Sequence, residues 1–302
     1  MSRKNRKVTL RFRAVSSLGL ALTLVGITAG CARVPEAMRA RDYFGEDIDF
    51  SFVTGNLLAA KTEPDESGYF DVGFETAFPI GPAALVTAGH AFMTPPGRVG
   101  DRFLGYGQGP PPERGETAEF TDDPNCPWNK GCVVRLLRPD QDRGDFALIQ
   151  LDRALPQWDR WADPTYRPRP GDVVVVGSRR GRDDDRVLTI SDHPLPDCRC
   201  TRRLRALLPE NYIMAQPALA KGWSGSPVKA WRPPRIGGHE PGKWVTFGYF
   251  VGGGAHFDSL TAVYSYSVIL PVPDDILRSA DLPPGRGGAE HDPITASQRA
   301  EP

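Results

Sequence analysis

Between about residue 51 and residue 276 the chain consists of short apolar runs broken by polar residues. In the first half these are "SFVTGNLLAA" (51–60), "GYFDVGFETAFPI" (68–80), "AALVTAGH" (83–90), "CVVRLLRP" (132–139) and "DFALIQLD" (145–152). Each is rich in β-branched or aromatic residues and bounded by Gly, Pro, Asp or Asn, which predicts strands rather than helices. After a Pro- and Trp-containing connector (154–170) a second series follows. It comprises "GDVVVVGS" (171–178), "RVLTISD" (186–192), "RRLRALL" (202–208), "NYIMAQ" (211–216), "SPVKAW" (226–231), "WVTFGYFVGG" (244–253) and "LTAVYSYSVILPV" (260–272). The pattern predicts an all-β protein in two strand-rich halves, with no internal sequence repeat.

The interruptions are also informative. Residues 93–125, with "TPPGRVG" and "GQGPPPERGE", read as a long irregular surface insertion. "RRGRDDDR" (179–186) reads as a solvated hairpin tip, because its acids are adjacent rather than at the alternating positions of a calcium loop. Residues 31–50 form a charged tether holding at most a short helical turn. Only "PDDILRSA" (273–280) has helical character near the end. Residues 281–302 are Pro, Gly and charge, a composition expected to stay disordered.

Composition supports this picture and adds a compartment. The 32 glycines and 30 prolines fit many turns and short strands. Lys and Arg number 37, as do Asp and Glu, so the overall balance does not point to nucleic acid. Six of the basic residues lie before position 14, ahead of the uncharged run "AVSSLGLALTLVGITAG" (14–30) and Cys31. A basic stretch followed by an apolar run and small residues is an export signal. Without residues 1–30 the chain has 31 basic and 37 acidic residues, a net charge of −6. "ITAGC" resembles the lipobox of bacterial lipoproteins, with Thr28 where Leu is commonest. That resemblance implies lipidation of Cys31 and a membrane anchor in the cell envelope. A plain cleaved signal and an uncleaved anchor are the other readings.

Export places the remaining cysteines, Cys126, Cys132, Cys198 and Cys200, in an oxidising compartment, where disulfides are favoured. Cys126 and Cys132 read as staples of a short surface loop; Cys198 and Cys200 are too close for an easy mutual bond. The neighbouring His193 completes no zinc spacing, so no metal and no cofactor is expected.

The candidate chemistry centres on "GWSGSP" (222–227). A serine hydroxyl needs an adjacent base, an acid to orient that base, and donors for the developing oxyanion. Gly222 and Gly225 allow a tight bend at Ser224, in which the amides of Gly222 and Ser224 can point at one oxygen. Of five histidines, His90 alone ends an apolar strand at a small-residue turn, the rim of a rigid sheet. Asp145 stands just before an apolar strand, placed to be desolvated and to hold an imidazole in one tautomer.

"TAGH", "DFALIQL" and "GWSGSPV", in the order His, Asp, Ser, together resemble the trypsin/chymotrypsin-like serine proteases. The resemblance covers roughly residues 51–276 and is closest to bacterial glutamyl endopeptidase-like members. It implies two six-stranded antiparallel β-barrels, residues 51–157 carrying His90 and Asp145 and residues 158–280 carrying Ser224, with the active site in the cleft between. It implies His90 as general base, Asp145 as its orienting acid, Ser224 as nucleophile and a polypeptide substrate. Gly89 stands where an Ala is usual, and Trp223 replaces the Asp or Asn beside the nucleophile. Phe250 replaces the His that reads a substrate carboxylate in glutamyl-specific relatives. No acid stands near Leu219, so an apolar or small-residue pocket around Leu219, Phe250 and Gly252 is expected.

The reading is therefore an exported, lipid-anchored serine endopeptidase acting through an acyl-enzyme. A catalytically silent homologue serving as a cell-envelope binding module is the alternative. An α/β-hydrolase esterase is disfavoured, since its nucleophile elbow needs Gly at position 226, which is Ser.

Overall fold

The computed structural model describes residues 36–46, 48–60, 72–92, 99–100, 102–108, 128–139, 141–160, 162–197, 199–234, 240–257, 263–279 and 283–284, with the short pairs 8–9 and 117–118. Apart from the pair 8–9, residues 1–30 lie outside the described residues, as do Cys31, Cys126, Cys198 and nearly all of the tail. The expected staple of Cys126 and Cys132 thus falls partly outside them; Cys132 itself sits opposite Gln150 in the first barrel, and Cys200 belongs to the helix Arg199–Leu207.

Six strands close the first barrel: β1 Gly55–Ala60, β2 Val72–Gly81, β3 Ala84–Thr87, β4 Arg102–Gly107, β5 Asn129–Leu137 and β6 Phe146–Leu151. Their order around it is β1-β2-β3-β6-β5-β4, with antiparallel neighbours throughout. The second barrel contains β7 Val173–Val176, β8 Arg186–Ser191, β9 Ile213–Gln216, β10 Pro227–Arg232, β11 Lys243–Phe257 and β12 Val263–Pro271. Its order is β8-β9-β12-β11-β10-β7, also antiparallel. Traced from β7, this is the order of the first barrel over again. One topology thus occurs twice without a visible sequence repeat.

Three cores explain why several strands read as continuous apolar runs rather than alternating ones. Leu85 of β3 and Ala147, Ile149 and Leu151 of β6 point into the first barrel. Their neighbours Ala84, Val86, Phe146 and Leu148 point outward and meet Tyr249, Val251, Val268 and Leu270 of the second barrel. Phe247, Phe250 and Ile269 fill the second barrel's own interior with Val174 and Val176. A strand buried on both faces has no polar face to alternate with. The unbroken runs therefore mark the joint between the barrels, and two of them lead to His90 and away from Asp145.

The sequence reading and the structure part company at three elements. β4 runs through "RFLGYG", inside the stretch expected to be irregular; its glycines and arginine weaken a strand signal that pairing to β1 and β5 restores. "RRLRALL" is not a strand but the end of the helix α2, Arg199–Leu207. The hairpin tip at 182–184 forms a 3-10 turn, but the following Asp185 is buried and accepts the Ser178 amide at 2.7 Å. In the tether a helix, α1 Ala40–Phe44, forms and buries Ala40.

Candidate active site

His90 belongs to a 3-10 turn, Gly89–Phe92, entered directly from the fully buried strand β3. Gly89 is dictated by its surroundings. A methyl there would overlap the Leu137 carbonyl oxygen and press on the Phe146 amide, so the glycine that departs from the usual Ala fits a closer approach of the neighbouring strands.

Asp145 lies one residue before β6 and is buried. Both its carboxylate oxygens are spent on His90: Oδ1 accepts the His90 amide and Oδ2 pairs with the ring Nδ1, each at 2.7 Å. Two bonds to one residue fix the imidazole's position as well as its orientation. With Nδ1 engaged by a carboxylate, the neutral ring carries its hydrogen on Nδ1 and presents Nε2 as the acceptor. The second barrel reaches this pair through Tyr249, whose hydroxyl donates to the Asp145 carbonyl at 2.8 Å. Burial holds the Tyr249 phenol well above its ordinary range, so it remains a donor.

Ser224 lies in the loop between β9 and β10. Gly222 and Gly225 adopt φ of +99° and +81°, conformations in which a side chain is strained. Gly225 is doubly constrained, because a methyl there would strike the Thr76 carbonyl and the Thr87 hydroxyl of the first barrel. The loop is tied on both sides. Thr76 donates its amide to the Ser224 carbonyl (3.1 Å), Gly225 donates to Phe250 (2.8 Å), and Phe250 donates back to Ser226 (2.8 Å). Thr87 Oγ1 completes the joint by bonding Thr76 O at 2.7 Å. Since Thr87 is three residues before His90, the serine loop docks against the strand that carries the histidine.

Among the described residues neither the Gly222 nor the Ser224 amide donates a hydrogen bond to the protein. The Ser224 hydroxyl donates to the Val251 carbonyl at 3.4 Å rather than to His90. The Trp223 ring packs against the second-barrel core, with the Arg186 guanidinium 5.7 Å from its centre.

Of the expected pocket residues, Leu219 packs on the second-barrel core and lines a cavity of about 310 Å³. Phe250 is 2% exposed and belongs to that core. Gly252 has open space where a side chain would start. Sequence reasoning missed Thr76, Thr87 and Tyr249. Only Thr87 carried a signal, its place in "TAGH"; the other two act through contacts across the barrel joint.

The fold is a chymotrypsin-like double barrel.

No family model and no curated protein matches the chain. Among solved structures it is similar to the scabies mite inactivated protease paralogue S-I1, at 18% identity and a TM-score of 0.43, covering 78% of this chain and 96% of that one. It is also similar to the inactive form of the Rv3671c protease, at 14% identity and a TM-score of 0.42, covering 79% and 93%. The Ser343Ala mutant of Rv3671c from M. tuberculosis H37Rv, in its inactive form, gives 14% and 0.41, covering 79% and 91%. At these levels the comparisons add nothing to the strand order and the side-chain geometry.

Proposed function

We propose that the protein is an exported serine endopeptidase that cleaves polypeptides through a Ser224–His90–Asp145 triad. The observation carrying this reading is the double clamp of Asp145 on His90, which fixes the ring and turns Nε2 into its basic, proton-accepting atom. In the proposed reaction Ser224 Oγ attacks the scissile carbonyl carbon and its proton passes to His90 Nε2. The carbonyl oxygen becomes an oxyanion received by the Gly222 and Ser224 amides. His90 then gives the proton to the leaving amine as the C–N bond breaks, and water hydrolyses the acyl-enzyme by the same route. Asp145 stabilises the imidazolium that forms. Residues 1–30 direct export, and Cys31 is the point of lipid attachment.

One observation favours the second reading, a silent binding module: the Ser224 hydroxyl bonds Val251 rather than His90. A rotation about one side-chain bond redirects the hydroxyl, and nucleophile–base bonds commonly tighten only with substrate present. Labelling by a fluorophosphonate probe separates the two. The wild type is expected to label, and Ser224→Ala and His90→Ala are not. A folded wild type that does not label supports the silent module, and labelling that survives Ser224→Ala overturns the nucleophile.

A further inference from the structure

The cavity of about 310 Å³ shares a wall with the serine loop, formed by Gly222 and Trp223. Four cationic side chains line it, Arg179, Arg180, Arg186 and Lys221, against the two acids Glu36 and Asp184. These charges are unequally committed. Arg186 is taken by an ion pair with Asp184. Arg180, Lys221 and Glu36 are exposed to solvent.

Arg179 stands apart. Its Nη1 is closed off from solvent and has no hydrogen-bond partner among the described residues. Nη2 lies 3.7 Å from where a side chain on Gly222 would begin, so the guanidinium rests on the serine loop itself. Burial lowers its pKa, and Glu75 acts on it in the opposite sense without closing an ion pair. A guanidinium nitrogen closed off from water with no acceptor against it is held unfavourably. An anion arriving in the cavity removes that penalty.

We propose that this cavity is a carboxylate-binding site, in which Arg179 receives the anion with the exposed Lys221 beside it and Gly222–Trp223 as one wall. A carboxylate matches the planar guanidinium fork in a bidentate pair. Ala37, Ala218, Leu219 and Trp223 supply apolar surface for the methylenes that carry the carboxylate. The ligand class is thus a short aliphatic carboxylate, either free or as an acidic side chain of a peptide. Binding does not require Ser224 to react, so the site stands or falls separately from the protease reading.

The test is a titration of the full chain in detergent, in a Ser224→Ala background so that no peptide is turned over. Thermal unfolding and tryptophan emission are read against glutarate, an acidic hexapeptide and its Glu→Gln counterpart. A saturable response to glutarate or to the acidic peptide is expected, absent with the Gln peptide. Arg179→Met should weaken it at least tenfold, and Arg179→Lys, which keeps the charge, by severalfold less. Response to glutarate identifies a free carboxylate as a sufficient ligand; response to the acidic peptide alone assigns the site to peptide side chains. Should Arg179→Met fail to fold by circular dichroism, the exposed Lys221→Met variant takes its place, with weaker binding expected. No saturable response, an equal response to the Gln peptide, or binding indifferent to the substitution overturns the proposal.

Discussion

Asp185 is a carboxyl group held where its charge is penalised. It is 2% exposed, and burial above all, with Asp184 and Asp49 adding, raises its pKa from 3.8 to about 7 against the opposing Ser178 amide and Arg186. The folded chain therefore binds this proton more tightly than the unfolded chain does. The stability it contributes is complete below the unfolded value, declines as pH rises through the window between 3.8 and about 7, and is gone above it. Asp185→Asn keeps an acceptor for Ser178 and removes the ionisation. It should stabilise the protein by on the order of 1–2 kcal/mol at pH 8, with the advantage vanishing toward pH 4. Urea denaturation at both pH values checks this; an advantage that does not change with pH contradicts it. The same residue shows a limit of sequence reading. In "RRGRDDDR" the three acids are indistinguishable by type, and only the fold turns the third inward while leaving Asp183 exposed.

At the scale of elements, one buried lysine fastens three pieces of chain. Lys229 of β10 is wholly buried and donates to the carbonyls of Phe50 and Ser51, each at 3.0 Å. It also pairs with Asp159 of the inter-barrel connector at 3.4 Å, and Asp159 accepts the Thr246 hydroxyl of β11. Burial pulls the Lys229 pKa down while Asp159 opposes the shift. Lys229→Met leaves Asp159 uncompensated and should cost ~3–5 kcal/mol, much of it recovered in Lys229→Met/Asp159→Asn. Chemical denaturation of the two variants decides; a double variant no better than the single one refutes the pairing. Elements differed in legibility for related reasons. β3 and β6 were plain because both faces are buried, so nearly every residue is apolar. β4 was hidden because its strand character comes from its neighbours. α2 carries a local helical signal beside its strand-like run: Leu204, Leu207 and Leu208 stand at the i, i+3, i+4 spacing of a helix.

At the scale of the molecule, the chain ahead of the first barrel is tied to the second barrel from residue 37 onward. Ala37 joins the core of that barrel, and Ala40 donates to Asp185 at 2.9 Å. An extended chain spans about 3.3–3.6 Å per residue, so a lipid on Cys31 would hold the body within roughly 20 Å of a bilayer. Cys31→Ser should move the protein from the detergent phase to the aqueous phase in a Triton X-114 partition. Equal partition of both forms refutes the anchor. At the far end the chain returns to the first barrel, where Asp275 pairs with Arg135 at 2.5 Å and the Pro283 carbonyl accepts from Gln150 at 2.7 Å. The barrels are thus joined by a shared core, by Tyr249 and Thr76 across the site, and by the chain's own end.

The sequence by itself determined the all-β class, most of the strands and three candidate residues in a definite order. These depend on local properties: apolar runs, turn residues, and side-chain types next to a strand end. Tertiary structure alone decided that both Asp145 oxygens close on His90, across 55 positions of sequence, and that Gly225 must yield to Thr76 and Thr87. It alone left Arg179 Nη1 without a hydrogen-bond partner among the described residues, beside the serine loop. Such facts are pairwise. A burial pattern records how much water a residue sees, whereas its partner is fixed only when the barrels close and meet. "GWSGSP" announced a tight bend; the meeting of two barrels determined what that bend faces.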